Sequence, residues 1–461
     1  MTTPLGLSVS LPGHVALIDV MPSTESCMQF GTTGPTTTVR VDAPRPSPGA
    51  RRVLRSLCRG CLAVLALGAP GSTAAGEEPL ALPTLPGYQR ASTFDLNNRG
   101  QVVGAAFAGE PGEPLLQAVL WRWRPWRPAT VQPLPIPAEM ENSEATAISR
   151  SGIPVGFSFL SSGSFRALVW QRGPGGDWDA VELEPPPGFT DALAAGVNSR
   201  GEIVGWAGNA GEVVGVDAVQ RAVLWKRGRD GAYSVSELET PDGFQSRGAA
   251  INERGDVVGT AFRTEFEDGR RVLRSEILVW RRTLGRSGSC HRSPVVLTPL
   301  PGLPTNQDPA ISLSGDVVAT AAGTIGGVPT TRPLLWKWNR SKKHHWPKHS
   351  RQYGDPIELP VPEGFASASA RDINAFGRVA GTVLVQEGAT TLSTRGVVWS
   401  RRRDGGWTVE ELDSPEGVAF VSTIRLNDLG WIAGRGTPPS AGESGALLWI
   451  PPRKPCMWKR P

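Results

Sequence analysis

The sequence predicts an all-β fold, a seven-bladed β-propeller of four-stranded blades that is closed by its N-terminal strand. Three repeated features indicate this fold. A glycine-containing turn recurs seven times, a strand ending in tryptophan follows each turn, and a Leu-Pro segment accompanies each unit. Short β-branched pairs between glycines, with no long helical periodicity, favour strands over helices.

The first feature is a turn of pattern N-x-x-G, with serine replacing asparagine in the second and fifth copies. The side chain of the asparagine or serine can hydrogen-bond the backbone two residues further on, and the glycine supplies the positive φ of a tight hairpin. The turn glycines are Gly100, Gly152, Gly201, Gly255, Gly315, Gly377 and Gly430. Their spacing of 49 to 62 residues suits a blade of four short strands and exceeds that of a solenoid coil.

The second feature is one tryptophan at the end of a strand in each unit. A large aromatic side chain at the same position of every unit is expected to fill the gap between neighbouring sheets. We therefore interpret these residues as scaffold rather than as a cofactor platform. They are Trp121, Trp170, Trp225, Trp280, Trp336, Trp399 and Trp449.

The third feature, the Leu-Pro segment, predicts how the ring closes. One such segment, residues 82–88, precedes the first turn, whereas none follows Trp449. The last unit therefore lacks an outer strand and the N-terminus has a spare one. Pairing these two would close seven blades and leave no sheet edge open across the chain ends.

The N-terminal region predicts export. Residues 51–60 carry four arginines, residues 61–69 are apolar, and small residues lead to a cleavage point after Ala75. We assign 1–50 to a disordered extension or a mis-assigned start, 51–75 to a signal peptide, 76–455 to the propeller and 456–461 to a tail. The mature protein would be secreted or periplasmic. Its two cysteines, Cys290 and Cys456, would be either paired or free.

The charge and hydropathy of the sequence limit the classes of binding partner that it predicts. The net charge is +5, but residues 1–75 contribute six arginines against three acidic residues, so the remainder carries only +2. A body this close to neutral does not indicate nucleic-acid binding. No apolar run is long enough to predict a membrane span. We expect a monomer that binds a protein or a glycan.

The turn followed by R-A-x-L-W resembles the bacterial extracellular HAF repeats. The units at residues 197–225 and 251–280 carry the turn most clearly. The resemblance covers nearly all of residues 80–450, and the first, fourth and seventh units depart from it before the tryptophan. It implies a propeller-like exported bacterial protein and supplies no catalytic residues, because the pattern is one of folding.

We expect any functional site to lie in the segments between the repeated residues. The segments 105–117, 206–221 and 261–275 are predicted to be variable loops, the usual place of binding on a rigid ring. No hydrolase, metalloprotease or nucleotide-binding motif occurs, and Glu265, Glu267 and Asp268 have no evident partner. We therefore predict a non-catalytic binding scaffold. The alternative is a glycosidase or lyase that assembles its acids around the channel.

One basic loop, residues 339–355, is the candidate surface for binding. Its histidines could ligate a metal, but no acidic or cysteine ligand accompanies them, so neither a metal nor a cofactor is expected. The loop could instead be an ordinary solvated connector, or contact an anionic polysaccharide or lipid headgroups. Its candidate residues are Lys342, Lys343, His344, His345, Trp346 and His349.

Overall fold

A computed structural model describes most of the repeat region. The described residues are 78–109, 115–160, 163–209, 219–267, 270–284, 290–291, 293–339, 353–387, 390–437 and 445–451, with the backbone of 10–11 and 14–15. Among them, no helix is long and apolar enough to cross a membrane. The predicted signal peptide, the tail and residues 342–349 lie outside the described residues.

The strands follow the repeats, numbered 1 to 7 by their turn glycines. Near the N-terminus β1 (Ser10–Leu11) pairs with β2 (His14–Val15), and β3 (Leu80–Ala81) precedes repeat 1. Repeat 1 contains β4 (Arg90–Leu96), β5 (Gln101–Ala108), β6 (Leu115–Arg124) and β7 (Arg127–Pro133). Repeat 2 contains β8 (Asn142–Ile148), β9 (Pro154–Phe159), β10 (Phe165–Arg172) and β11 (Trp178–Leu183). Repeat 3 contains β12 (Asp191–Val197), β13 (Ile203–Gly208), β14 (Arg221–Arg227) and β15 (Tyr233–Glu237).

Repeats 4 to 7 follow in the same order. Repeat 4 contains β16 (Gln245–Ile251), β17 (Val257–Glu267), β18 (Arg270–Trp280), the pair β19 (Thr283–Leu284) and β20 (Cys290–His291), and β21 (Pro294–Val296). Repeat 5 contains β22 (Thr305–Ile311), β23 (Val317–Ile325), β24 (Val328–Trp336) and β25 (Ile357–Glu358). Repeat 6 contains β26 (Ser367–Ile373), β27 (Val379–Glu387), β28 (Thr390–Arg401) and β29 (Trp407–Glu411). Repeat 7 contains β30 (Phe420–Leu426), β31 (Ile432–Thr437) and β32 (Gly445–Trp449).

The chain is an all-β propeller with four-stranded blades, as predicted, but the predicted count of seven separate blades is wrong. Repeats 1 to 5 form five separate four-stranded sheets. The strands of repeats 6 and 7, with β3, form one eight-stranded sheet. The physical reason is the length of β28, which brings Thr394 into a single parallel pairing with Phe420 at the start of β30.

The N-terminal segment does close the ring, although not with the predicted residues. The closing strand is β3, in which Leu80 pairs with Leu448 and Ala81 with Leu447. The ladder then ends with one more bond, from the Leu82 amide to the Ala446 carbonyl, at 2.9 Å. The predicted strand at 82–88 is wrong because Pro83 and Pro86 have no N–H to donate to a ladder.

A second correction concerns the predicted loop at 261–275. These residues instead extend a hairpin, in which β17 and β18 pair continuously from Val257–Trp280 to Glu267–Arg270. Glu265 therefore lies on a strand, with its carboxylate 2.6 Å from Arg263 and 3.0 Å from Arg274. The other two predicted loops also lose their ends to strands, since β5 extends to Ala108 and β13 to Gly208.

The repeated tryptophans bond each repeat to the one before it. All seven are at most 4% exposed. Each indole Nε1 donates to the carbonyl of the residue that follows the repeated leucine of the preceding repeat, over 2.6 to 3.0 Å. The acceptors, in order from Trp121 to Trp449, are Pro83, Pro135, Glu184, Glu239, Thr298, Pro360 and Asp413. The repeats are therefore joined by directed hydrogen bonds as well as by apolar packing.

Candidate functional site

The seven N-x-x-G turns surround one end of the central channel. We call this side of the ring the turn face. The first strands of consecutive repeats contact one another in an unbroken circle, and β30 contacts β4. Every turn glycine has a φ between +72° and +95°, the conformation predicted for it. Each turn therefore brings the residue before it and the two residues inside it to the channel end.

The turn asparagines bond five of the seven pairs of neighbouring repeats at this end. Each is buried, and its Nδ2 donates to the carbonyl of the corresponding residue in the next repeat. These bonds are Asn97 to Ser149, Asn198 to Asn252, Asn252 to Ser312, Asn374 to Asn427, and Asn427 to Asn97, over 3.0 to 3.3 Å. The serine side chain is too short to reach the next repeat. At Ser149 and Ser312 the hydroxyl oxygen instead accepts a backbone amide of its own turn.

Asn427 offers a test of these bonds, since its bond to Asn97 joins the two ends of the chain. Its Oδ1 also accepts the amides of Leu429 and Trp431, at 3.0 and 2.9 Å. We expect Asn427→Ala to lower the free energy of unfolding by about 2–4 kcal/mol, because buried backbone groups lose their partners. Asn427→Ser, the residue that repeats 2 and 5 use, should lose less than half of that. Urea unfolding followed by circular dichroism measures both, and equal losses would contradict the inter-repeat contribution.

A cavity of about 160 Å³ lies within the circle of turns. It is lined by equivalent residues of six repeats, which places it on the axis of the ring. Its polar lining includes Asn98, Arg150, Glu253, Asp372 and Asp428. We call these five residues the axial site. Their amide, carboxylate and guanidinium groups can hydrogen-bond a hydroxyl-rich or charged ligand.

Arg150 lies across the mouth of this cavity. Its guanidinium pairs with the Asp428 carboxylate of repeat 7 and is 4.0 Å from Glu253 of repeat 4. Asp428 also accepts the Asn98 amide at 3.3 Å, and Glu253 accepts the Ser199 backbone amide at 3.1 Å. Arg150 keeps 46% of its side chain exposed. A ligand entering along the axis would therefore meet an organised set of donors and acceptors.

Two carboxylates, those of Asp95 and Asp372, lie one position before the Leu-Asn or Ile-Asn of the turn. Asp372 lines the cavity, whereas Asp95 does not. Asp95 accepts the amides of Leu96 and of Ile148 in the next repeat, both at 2.8 Å. Asp372 likewise accepts the amides of Ile373 and Leu426, at 2.8 Å. Burial raises the pKa of Asp95 to about 7, against the opposing charge of Arg425. Burial also raises the pKa of Asp372.

Sequence reasoning missed the axial site because it searched only between the repeated residues. The position of Asp95 and Asp372 is occupied by Ala147, Gly196, Ala250 and Ala310 in four repeats and by Arg425 in the seventh. Ionisable residues at a position that is otherwise small are a departure from the repeat. That departure was the available signal.

The structure does not test the predicted surface residues. Lys342, Lys343, His344, His345, Trp346 and His349 lie outside the described residues, as does Cys456. Within the described ranges, no group of three or more His, Cys, Asp or Glu side chains could hold a metal ion.

Comparison with known proteins shows only distant similarity. The chain matches no protein-family model and no curated protein sequence. Among solved structures it is similar to a GH32 β-fructofuranosidase of Bombyx mori, with 10% identity, a TM-score of 0.29, and 80% of this chain and 90% of that one covered. It is also similar to the extracellular domains 1–2 of Drosophila Semaphorin 1a, with 9% identity, a TM-score of 0.38 and 81% and 89% covered. A GH43 endo-arabinanase from Bacillus licheniformis gives 10%, 0.28, and 56% and 92%. Similarity this slight supports no assignment of activity.

Proposed function

We propose that this protein is a β-propeller that binds a saccharide at the axial site. The observation that carries the proposal is the polar cavity on the ring axis, with side chains from several repeats converging on it. Carboxylate, amide and guanidinium groups together suit vicinal hydroxyls, which both donate and accept. A volume of about 160 Å³ is below the range of drug-sized pockets, so it suits one sugar ring with the rest of the glycan outside.

The hydrogen bonds of Asp95 and Asp372 favour binding without turnover. Both oxygens of Asp95, and both of Asp372, accept backbone amides that the innermost strands would otherwise leave unpaired. Each carboxylate therefore joins its own repeat to the next. A carboxylate held in this way is poorly placed to attack a sugar or to protonate a leaving group.

Glycoside hydrolysis is the second candidate, and the observation in its favour is the raised pKa of Asp95. Such hydrolysis needs two carboxyl groups, one of which stays protonated near neutral pH to act as the general acid. The raised pKa of Asp95, about 7, meets that requirement. In this reaction Asp95 would be the acid and Asp372 the base or nucleophile.

A glycan array with the full chain, followed by a hydrolysis assay on each bound glycan, tests both functions. We expect binding without turnover, and we expect Arg150→Ala to weaken it at least tenfold because Arg150 organises the mouth. Arg254→Ala is the matched control, since Arg254 is exposed on the same face and does not line the cavity. Turnover abolished by Asp372→Asn would establish the second candidate. Binding that is insensitive to Arg150→Ala would overturn the axial site.

We further propose that the eight-stranded sheet is two four-stranded blades joined at Thr394 and Phe420, which gives seven blades in total. The HAF-like pattern and the leader support an exported bacterial protein. Mass spectrometry of the N-terminus of the secreted chain tests export, and a mature chain that retains Arg51 would contradict the proposed cleavage.

A further inference from the structure

The hairpin between β6 and β7 exposes an unusual set of side chains on the turn face. Residues 121–127 read W-R-W-R-P-W-R. Trp126 is 97% exposed and has a φ of +69°. A proline followed by a residue with positive φ is a turn in which the second position usually takes glycine or asparagine. A large aromatic residue held there, in solvent, indicates a role outside folding.

The arginines of this hairpin carry uncompensated charge. In the part of the chain that the structure describes, no carboxylate pairs with Arg122, Arg124 or Arg127. The Arg122 Nε is buried and has no hydrogen-bond partner. Burial, together with the charges of Arg172 and Arg124, lowers the pKa of Arg122. An anion bound here would relieve that repulsion.

Corresponding positions in other repeats show the contrast. After the tryptophan of repeat 4, Arg281 lies 3.4 Å from Asp256, and after that of repeat 5, Lys337 lies 2.9 Å from Asp316. In those two repeats the basic side chain forms an ion pair with a carboxylate of its own repeat. Among the described residues Arg122 of repeat 1 has no such carboxylate, so its partner is expected to come from outside.

We propose that this tryptophan–arginine hairpin, residues 121–128, binds an acidic polysaccharide through its carboxylate or sulfate groups. Guanidinium groups bond carboxylate and sulfate oxygens in a bidentate manner, and a fully exposed indole can stack on the apolar face of a sugar ring. Arg122 would bind one anionic group of the polysaccharide, and Arg124 and Arg127 would bind the neighbouring anionic groups. Trp126 would stack on a sugar ring between these groups.

A polysaccharide fits this hairpin better than a lipid surface. Binding to a bilayer draws on a broad apolar face, whereas within this hairpin Trp126 is exposed, Trp121 is buried and Trp123 packs edge-on against Trp431 at 4.9 Å. The site also differs from the axial site, because β6 and β7 are the third and outermost strands of their sheet. The axial site and the hairpin site can therefore be tested independently of each other.

Binding of the full chain to polygalacturonate and dextran sulfate, with neutral dextran and phosphatidylglycerol vesicles as comparisons, tests this site. We expect Arg124→Ala/Arg127→Ala to weaken binding to the acidic polymers at least tenfold. Trp126→Ala should weaken it at least threefold without changing its salt dependence. All three side chains are exposed, and an unchanged melting temperature verifies folding.

The matched control is Arg402→Ala/Arg403→Ala, which removes the same charge from the corresponding link of repeat 6, where Asp404 lies 3.3 Å from Arg402. This pair should change the affinity less than twofold. Equal losses for both pairs would reduce the effect to net charge and overturn the site. Equal binding of neutral dextran, or binding of the vesicles alone, would also overturn it.

Discussion

Replacing Trp225 by alanine is expected to lower the free energy of unfolding by about 3–5 kcal/mol. Trp225 is fully buried and packs against Val155, Val169 and Leu183 of the preceding repeat. Its Nε1 also donates to the Glu184 carbonyl at 2.7 Å. The substitution therefore leaves a large cavity between two repeats and an unpaired carbonyl.

Two other variants separate the contributions to this loss. Trp225→Phe keeps much of the apolar contact and loses the hydrogen bond, so we expect it to cost less than Trp225→Ala. Trp126→Ala, at an exposed position, should change stability by less than about 0.5 kcal/mol. Urea unfolding followed by circular dichroism measures all three. A Trp225→Ala protein as stable as Trp126→Ala would refute the packing role assigned to the repeated tryptophans.

The second large effect is a pH dependence of stability that arises from Asp95. Its pKa is about 7 in the folded protein and about 4 in an unfolded chain, so the folded state binds the proton more tightly. That stabilisation is complete below about pH 4 and is lost as the pH rises to about 7. We expect Asp95→Asn, which mimics the protonated acid, to gain about 2–4 kcal/mol relative to the wild type between pH 4 and pH 8.

Neighbouring charges contribute to this titration. Arg425 lowers the pKa of both Asp95 and Asp372, whereas Asp372 raises the pKa of Asp95 and Asp428 raises that of Asp372. Asp404→Asn is the control, because backbone bonding to Gly406 lowers the pKa of that exposed residue. Its stability difference from the wild type should be constant between pH 5 and pH 8. A difference for Asp95→Asn that is equally constant would contradict the titration.

The repeated part of the structure was predictable because its causes are local. An asparagine followed three residues later by glycine specifies a turn, and the turn glycines have the positive φ that the pattern requires. A tryptophan at a fixed place in each unit predicts a packed interface, and Trp225 is buried in one. The N-terminal closing segment was predictable by counting strands.

What was missed depends on relations between distant residues. No local pattern indicates that Thr394 pairs with Phe420, so the fusion of two sheets could not be foreseen. The pairing of residues 261–275 within the 257–280 hairpin was also missed, because this outer part of the hairpin is rich in charged residues. The axial site was overlooked because residues such as Arg150 and Asp428 lie within the repeat and come together only when distant repeats meet on the axis.

The tryptophan bonds have a consequence for how many repeats can coexist. Each interface is heterologous, since one repeat offers an indole donor and the preceding repeat offers a carbonyl. Such head-to-tail contacts form either a closed cycle or an open array. An open array always leaves one indole without an acceptor at one end and one carbonyl without a donor at the other. Because Trp121 donates to Pro83, in the segment that pairs with the last repeat, this chain satisfies every such pair. A shortened chain would lose this property unless its terminal segment still reached the new last repeat.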